Sequence, residues 1–205
     1  EPRKGLLWKL ITTLRYDTAD KCWYNALGLK NPGLARGITK HKAPEVLSVA
    51  AIKPEDYDRI NAQVPTNIPL ELNISCPNIN HFQAYLQGIQ QFQPRNPIIK
   101  LSPHMDRAVL DFLIDTGFTT FHASNTYKTD KGARSGKFLQ SYTIATIEYL
   151  RSQLGAEGRL IAGGGITHLV DIMDYTNAGA DSFSLGTVCF NPYRVHKLLS
   201  ALDVA

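Results

Sequence analysis

A thiol stands between two carboxamides in the segment from Asn73 to Asn78, and this combination of groups can move a proton. The segment reads Asn-Ile-Ser-Cys-Pro-Asn, so two amides, a hydroxyl and a thiol lie within six residues. Paired donors and acceptors on the amides suit a planar polar ligand, and the sulfur of Cys76 can take a proton from it. The segment therefore indicates a polar binding turn with a thiol that can transfer a proton.

The other cysteines lack such a setting. We expect Cys22 and Cys189 to be structural, whereas for Cys76 the alternative to a functional thiol is a small buried hydrophobe, as free cysteines commonly are. Cys76 instead follows a predicted strand, in a polar turn before a proline. Three widely spaced cysteines without a C-x-x-C pair argue against a disulfide framework and a zinc site. They favour a reducing compartment, so we expect a cytoplasmic protein.

Six apolar, β-branched runs alternate with amphipathic stretches from Glu45 onward. The predicted strands are Glu45–Ile52, Leu70–Ser75, Ile98–Ser102, Thr119–Ala123, Arg159–Gly163 and Asp181–Gly186. Strands that alternate with helices favour a parallel sheet covered by helices. Polar residues at the carboxyl ends of such strands are typical of a TIM-type (β/α)8 barrel. A doubly wound sheet is the alternative, although no G-x-G-x-x-G follows a first strand.

Predicted helices occupy most of the gaps between these strands, and one more follows the last strand. One opens at Lys53–Asp56, a second covers Met105–Thr116, a third covers Tyr142–Leu154, a fourth covers His168–Asn177, and the last starts near Pro192. With 205 residues and 43% hydrophobic side chains, the chain can bury a core as a single domain over residues 1–205. A closed barrel needs eight strands, so about six of eight βα units are expected here.

Lys100 stands inside an apolar predicted strand. It could be a surface lysine, but burying an ammonium in a strand costs several kcal/mol. The alternative is a fixed positive charge beside an anionic ligand. Asparagines at several predicted strand ends could be turn formers, although their number at one end of the sheet favours ligand contacts. We expect His104, His122 and His168 to be surface or capping residues, because they form no metal-ligand spacing.

Glycines follow the last two predicted strands. The segments are Gly163-Gly164-Gly165 and Gly186-Thr187. Glycines before a helix expose backbone N–H groups, and two such sites late in a barrel predict a phosphate cup. An ordinary tight turn is the alternative.

Net charge and hydropathy limit the kinds of partner that the chain is expected to have. The net charge is +4, without a run of basic residues, so a nucleic-acid surface is not indicated. No apolar run approaches the ~20 residues that span a bilayer. We therefore expect a small-molecule substrate, no nucleic-acid partner and no membrane segment.

Taken in order, these motifs resemble the dihydroorotate dehydrogenase family, the FMN-dependent (β/α)8 barrels of pyrimidine biosynthesis. The matching segments are Asn25-Ala26-Leu27-Gly28-Leu29, Asn73–Asn78, Lys100 with its flanks, Ser124-Asn125-Thr126, Gly132–Lys137, Gly163–Gly165 and Gly186-Thr187. A cysteine base resembles the soluble class of the family, whose tendency to dimerise suggests a homodimer.

The resemblance implies a role for each matching residue. Cys76 would take a proton from C5 of dihydroorotate while C6 gives a hydride to FMN. Lys100 would face the N1/C2 carbonyl edge of FMN. The implied substrate contacts are Asn25, Leu27, Gly28, Leu29, Asn73, Asn78, Asn125 and Thr126. The implied FMN contacts besides Lys100 are Gly136, Gly164, Gly165, Gly186 and Thr187.

The chain also departs from the family pattern. The first two barrel strands, with a second lysine, have no counterpart before Glu1, and the segment after Asn78 is short. We expect an N-terminally incomplete barrel with two sheet edges, which by itself binds FMN weakly or not at all. The electron acceptor (fumarate, NAD or quinone) stays open.

Three other functions remain open from the sequence. The first is a reductase of free pyrimidine bases and the second is a tRNA-dihydrouridine synthase, both of them FMN barrels. The third is a degenerate barrel without catalysis.

Overall fold

The computed structural model describes residues 6–26, 28, 31–74 and 82–202. Within them the strands are β1 (Arg15–Asp17), β2 (Cys22–Asn25), β3 (Leu47–Val49), β4 (Leu70–Asn73), β5 (Ile98–Lys100), β6 (Thr120–Ala123), β7 (Tyr127–Thr129), β8 (Gly132–Gly136), β9 (Arg159–Gly163) and β10 (Ser182–Ser184). The α-helices are α1 (Leu6–Thr13), α2 (Leu34–Lys40), α3 (Glu55–Gln63), α4 (Phe82–Ile89), α5 (Arg107–Asp115), α6 (Leu139–Leu154), α7 (Leu169–Asn177) and α8 (Pro192–Leu202).

Six of these strands form one parallel sheet in the order β3-β4-β5-β6-β9-β10. These are the six strands predicted from the sequence, although most are shorter than predicted. A doubly wound sheet reverses its strand order at a switch point, whereas neighbours here follow chain order. Strand order therefore favours a barrel over a doubly wound sheet, and the six strands of the described residues agree with the expected TIM-type fold of about six βα units.

The two faces of this sheet differ in chemistry because alternate side chains point to opposite sides. Leu72, Ile99, Phe121 and Leu160 belong to the hydrophobic core and are almost fully buried. Their sequence neighbours carry the polar groups of the other face. Register pairs Asn73 with Lys100, and Lys100 with His122, so these side chains stand in one row across β4, β5 and β6.

Helix α5 shows how local sequence sets the elements between the strands. The side chain of Asp106 accepts a hydrogen bond from the N–H of Ala108 at 3.0 Å and caps the first turn. Val109, Leu110 and Leu113 are buried on one face. Gly117, with φ of +93°, ends the predicted stretch in a conformation that favours glycine.

A second sheet was not predicted. Strands β1, β2, β8 and β7 form an antiparallel sheet in the order β1-β2-β8-β7. Register pairs Asn25 with Ala133 and Cys22 with Gly136. This sheet ties the amino-terminal segment to the connection between β6 and α6.

The described helices include none with the length and apolar character needed to cross a membrane.

Candidate active site at the strand ends

Two carboxamides meet at the carboxyl ends of β4 and β6. Nδ2 of Asn125 donates to Oδ1 of Asn73 at 3.3 Å. The backbone N–H of Asn125 donates to the carbonyl of Leu101 at 2.9 Å. Its Oδ1 accepts from the N–H of Thr126 at 2.8 Å. The structure therefore brings Asn73, Asn125 and Thr126 together, and these bonds orient the amide of Asn125.

Lys100 lies in the same row, on the polar face of the sheet. Its side chain is 23% exposed, and Nζ is 3.6 Å from Oε1 of Glu71. A lysine between the barrel helices would have been packed among apolar side chains instead. The position agrees with a fixed positive charge at the mouth of the barrel.

Glu71 binds groups from three other strands. Its Oε1 accepts a hydrogen bond from the hydroxyl of Ser48 on β3 at 2.6 Å, and its Oε2 lies 2.7 Å from Nδ1 of His122 on β6. Burial raises the pKa of Glu71, but the His122 hydrogen bond, the Lys100 charge and the Ser48 hydrogen bond outweigh it and lower the pKa to about 2. The carboxylate is therefore ionised at neutral pH.

The expectation that His122 is a surface or capping residue is wrong. The residue is only 6% exposed and pairs with Glu71 inside the sheet. His168, by contrast, is the N-cap residue of α7, as predicted. One signal for the buried pair was present in the sequence, because Glu71 lies two residues before Asn73 and shares its face of the strand.

The glycine turn after β9 packs against the end of β8. Gly164 and Gly165 have φ of +95° and +75°, in the region that favours glycine. A Cβ on Gly165 would lie 2.7 Å from Cα of Lys137 and 2.8 Å from the carbonyl oxygen of Gly136. The close packing explains why Gly165 is a glycine. A Cβ on Gly136, at a φ of +146°, would lie 3.0 Å from Cβ of Cys22.

Asp171 fixes the chain that follows this turn. Its Oδ2 accepts from the backbone N–H groups of Thr167 at 2.8 Å and His168 at 2.9 Å. Nζ of Lys137 lies 3.3 Å from Oδ1. Burial raises the pKa of Asp171, but hydrogen bonds such as those from the Thr167 and His168 backbone outweigh it and lower the pKa to about 2.

Backbone donors collect at this edge of the sheet. Among the described residues, the N–H groups of Gly164, Gly165 and Gly186 have no protein acceptor. β9 and β10 are paired, so the three groups follow adjacent strands. A Cβ on Gly186 would meet nothing within 4 Å, and Thr187 begins a 3₁₀ turn directly after it. Free N–H groups at a turn before a helix are a common arrangement for phosphate.

The remaining predicted site residues lie elsewhere or outside the described residues. Nδ2 of Asn25, on β2, donates to the carbonyl of Ala133 at 3.5 Å. Gly28 is an exposed turn residue with φ of +65°. Leu27, Leu29, Cys76 and Asn78 lie outside the described residues.

The cysteines expected to be structural have different surroundings. Cys22 is buried, and its sulfur accepts from Nε of Arg134 at 3.3 Å, whereas Cys189 is exposed. No group of three or more His, Cys, Asp or Glu side chains with metal-binding geometry occurs in the described part of the chain.

The chain-ordered parallel sheet defines a barrel-type α/β protein, with a candidate site among the polar groups at the carboxyl ends of its strands. Known proteins refine this class. No family model matches the chain. Catalytic subunits named dihydroorotate dehydrogenase B (NAD(+)) are similar to it: that of Oceanobacillus iheyensis is 28% identical over 87% of the chain and 70% of its own length. The subunit of Fusobacterium nucleatum is 27% identical over 88% of the chain and 71% of its own length.

Solved structures of the Eimeria tenella enzyme, DHODH, share the fold. The complex with ferulenol has a TM-score of 0.70 at 17% identity, over 90% of this chain and 67% of that one. The ligand-free form has a TM-score of 0.68 at 17% identity, over 88% of this chain and 68% of that one. The chain is similar to dihydroorotate dehydrogenases, and the resemblance predicted from its motifs is confirmed.

Proposed function

We propose that the chain oxidises dihydroorotate to orotate with FMN as cofactor, the dehydrogenase step of pyrimidine biosynthesis. The observation that carries this proposal is the row of Asn73, Lys100 and Asn125 at one edge of the sheet. The names of its relatives support the substrate. An oxidoreductase is favoured over a non-catalytic barrel because a cation and two oriented amides in a row are not needed for packing.

The described residues fit FMN in two respects. Gly164, Gly165 and Gly186 offer backbone donors without protein acceptors, which suits a phosphate. Lys100 offers a cation on the same face, which suits the carbonyl edge of a flavin ring. We assign Gly136 and Thr187 to the same cofactor site on the basis of their motifs. When bound, FMN supplies a hydride acceptor.

The side chains of the protein then position the substrate and move its proton. Asn73 and Asn125 bind the pyrimidine ring through their amides, together with Asn25, Asn78 and Thr126. Leu27, Gly28 and Leu29 cover one side of it. Cys76 accepts the proton from C5 while the hydride leaves C6, so the substrate loses two electrons and two protons. An unperturbed thiol titrates near pH ~8.5, so a modest lowering of its pKa would make Cys76 an effective base.

The test is oxidation of dihydroorotate by the 205-residue chain with added FMN and a dye as electron acceptor. We expect Cys76→Ala to lose about 10²-fold to 10⁴-fold in kcat, the usual contribution of a positioned general base. Cys76→Ser, which keeps a weak base, should retain more activity. Dihydrouracil, which lacks the carboxylate, should be a poor donor. Equal turnover of both substrates would favour a reductase of free bases instead.

Lys100→Met provides a second test of the site. The substitution keeps an unbranched side chain only slightly shorter than lysine but removes its charge, so FMN should bind more weakly and its reduction potential should fall. The measurement is a fluorescence titration with FMN, followed by redox titration of the bound flavin. An unchanged potential would contradict the proposed contact.

A further inference from the structure

The order of strands places His122 between the two parts of the proposed cofactor site. β6 lies between β5, which carries Lys100, and β9, which leads into the Gly164–Gly165 turn. Adjacent strands are ~4.8 Å apart, so β5 and β9 are separated by about 10 Å. A flavin with its ring at Lys100 and its phosphate at the glycine turn must cross β6 with the ribityl chain that joins them. This chain carries hydroxyl groups.

The imidazole of His122 has a defined orientation. Nδ1 lies 2.7 Å from Oε2 of Glu71. Because an ionised carboxylate only accepts hydrogen bonds, Nδ1 carries a proton, and in the Nδ1–H tautomer Nε2 is left as an acceptor. Glu71 is itself held by Ser48 and Lys100. The ring is therefore fixed from β3, β4 and β5 together.

The second nitrogen faces the glycine strand. A Cβ added to Gly163 would lie 3.3 Å from Nε2 of His122, which puts Nε2 beside the end of β9. Among the described residues Nε2 has no hydrogen-bond partner, whereas Nδ1 is paired. A histidine kept only for structure would not need a carboxylate to orient a nitrogen that bonds nothing.

We propose that Nε2 of His122 accepts a hydrogen bond from a ribityl hydroxyl of FMN, and that Glu71 is the positioning residue that orients the ring. The inference rests on the proposed function, because it takes a flavin as the ligand. It adds a contact to the middle of the cofactor, between the cation at one end and the backbone donors at the other.

Two substitutions separate this contact from a structural role. His122→Asn keeps a polar group near Nδ1 that can bond Glu71 but removes Nε2. His122→Gln places a polar atom near the Nε2 position. Each variant is titrated with FMN and with lumiflavin, a flavin ring without the ribityl chain, and binding is followed by quenching of flavin fluorescence. Thermal unfolding of both variants serves as the folding control.

We expect His122→Asn to bind FMN about threefold to tenfold more weakly, the loss of one hydrogen bond, with lumiflavin binding unchanged. His122→Gln should remain within about twofold of the wild type for both ligands. An equal loss for FMN and lumiflavin, or no loss for FMN in His122→Asn, overturns the proposal. A lower Tm with an unchanged FMN-to-lumiflavin ratio also overturns it, because the role would then be structural.

The role of Glu71 has a readout in the protein without ligand. Nitrogen chemical shifts of His122 should show the Nδ1–H tautomer in the wild type and a mixture of tautomers in Glu71→Gln. An unchanged tautomer in Glu71→Gln contradicts the positioning role. Suppose that His122→Asn loses affinity for FMN but not for lumiflavin, while the wild type does not oxidise dihydroorotate. The contact of His122 is then supported and the proposed function fails. If no flavin binds the 205-residue chain at all, the His122 contact and the proposed function both fail for this chain, and only the expectation of an incomplete flavin site holds.

Discussion

Glu71 keeps a negative charge where the residue is only 8% exposed, because three side chains from neighbouring strands compensate it. A buried carboxylate without partners would be neutral at pH 7. Here the carboxylate of Glu71 contacts the side chains of Ser48, Lys100 and His122. The residue that organises the row is thus one that need not touch a ligand.

Acid should destabilise the protein through this residue. The pKa of Glu71 lies at about 2 in the folded chain, against 4.5 for an ordinary glutamate. Its stabilising contribution is therefore complete above pH 4.5 and is lost as the pH falls through 2. The shift corresponds to roughly 3 kcal/mol in the free energy of unfolding, measured by urea denaturation between pH 6 and 2.

Two variants identify the source of that pH dependence. Glu71→Gln should be less stable at pH 7 by about 3 kcal/mol, since it leaves Lys100 and His122 without their counter-charge. Its stability should then depend less on pH below 4.5, with the part from Asp171 remaining. Ser48→Ala removes one hydrogen bond, costs about 1–2 kcal/mol and should keep the acid dependence. If the free energy of unfolding of Glu71→Gln falls with pH in parallel with that of the wild type, Glu71 is not the source of the acid dependence.

Two glycines of the proposed phosphate site should respond differently to alanine. Gly165→Ala places a Cβ against Lys137 and Gly136 at a positive φ, so it should cost about 3 kcal/mol of stability. Gly186→Ala meets no atom within 4 Å and should leave Tm unchanged while weakening FMN binding. Thermal unfolding and flavin titration of the pair check this, and normal FMN affinity in Gly186→Ala would argue against a phosphate there.

Among the elements, helix α5 depends on the side chain that begins it. Asp106→Ala removes the acceptor for the N–H of Ala108 and should cost about 1 kcal/mol in urea denaturation. Asp106→Asn keeps an acceptor and should lower the free energy of unfolding by only about a few tenths of a kcal/mol. Equal losses would show that the cap contributes little.

The elements that the sequence predicted are those with a strong apolar pattern. Six buried strands and most of the helices between them could be predicted because runs such as Leu160–Ala162 are apolar throughout. The antiparallel sheet could not, since β1 and β7 are three-residue strands rich in polar side chains. Local pattern does not identify a strand that is stabilised by a partner far along the chain.

The candidate site was predictable in kind but not in full. Asn73, Lys100 and Asn125 stand out as polar residues at strand ends. Glu71, the partner of His122, did not stand out in the sequence. It lies 51 residues away, and the pairing depends on the register of three strands. Such a pairing follows from the assembled sheet and not from spacing in the sequence.

At the scale of the whole molecule, the described parallel sheet has an edge at β3 and another at β10. A closed barrel has no edges, and exposed edges can pair with another chain. The expectation that this chain by itself binds FMN weakly or not at all stays a prediction, as do the homodimer and the cytoplasmic location.

Self-association through the β10 edge can be measured. The N–H of Asp181 donates to Leu160 on β9, so the N–H of the next residue, Ser182, points away from β9. Ser182→Pro therefore removes an outward donor without breaking the ladder. Sedimentation at rising concentration should show association in the wild type and less of it in Ser182→Pro. Identical profiles would mean that this edge does not pair.

Strand β8 links the two proposed ligands through one continuous backbone. It pairs with β2, which carries Asn25, and its final residue Gly136 lies against the Gly165 turn. A ligand that orders Asn25 therefore also orders the turn on which the cofactor phosphate would rest. The expected result is positive thermodynamic coupling, in which dihydroorotate tightens FMN and FMN tightens dihydroorotate by the same factor.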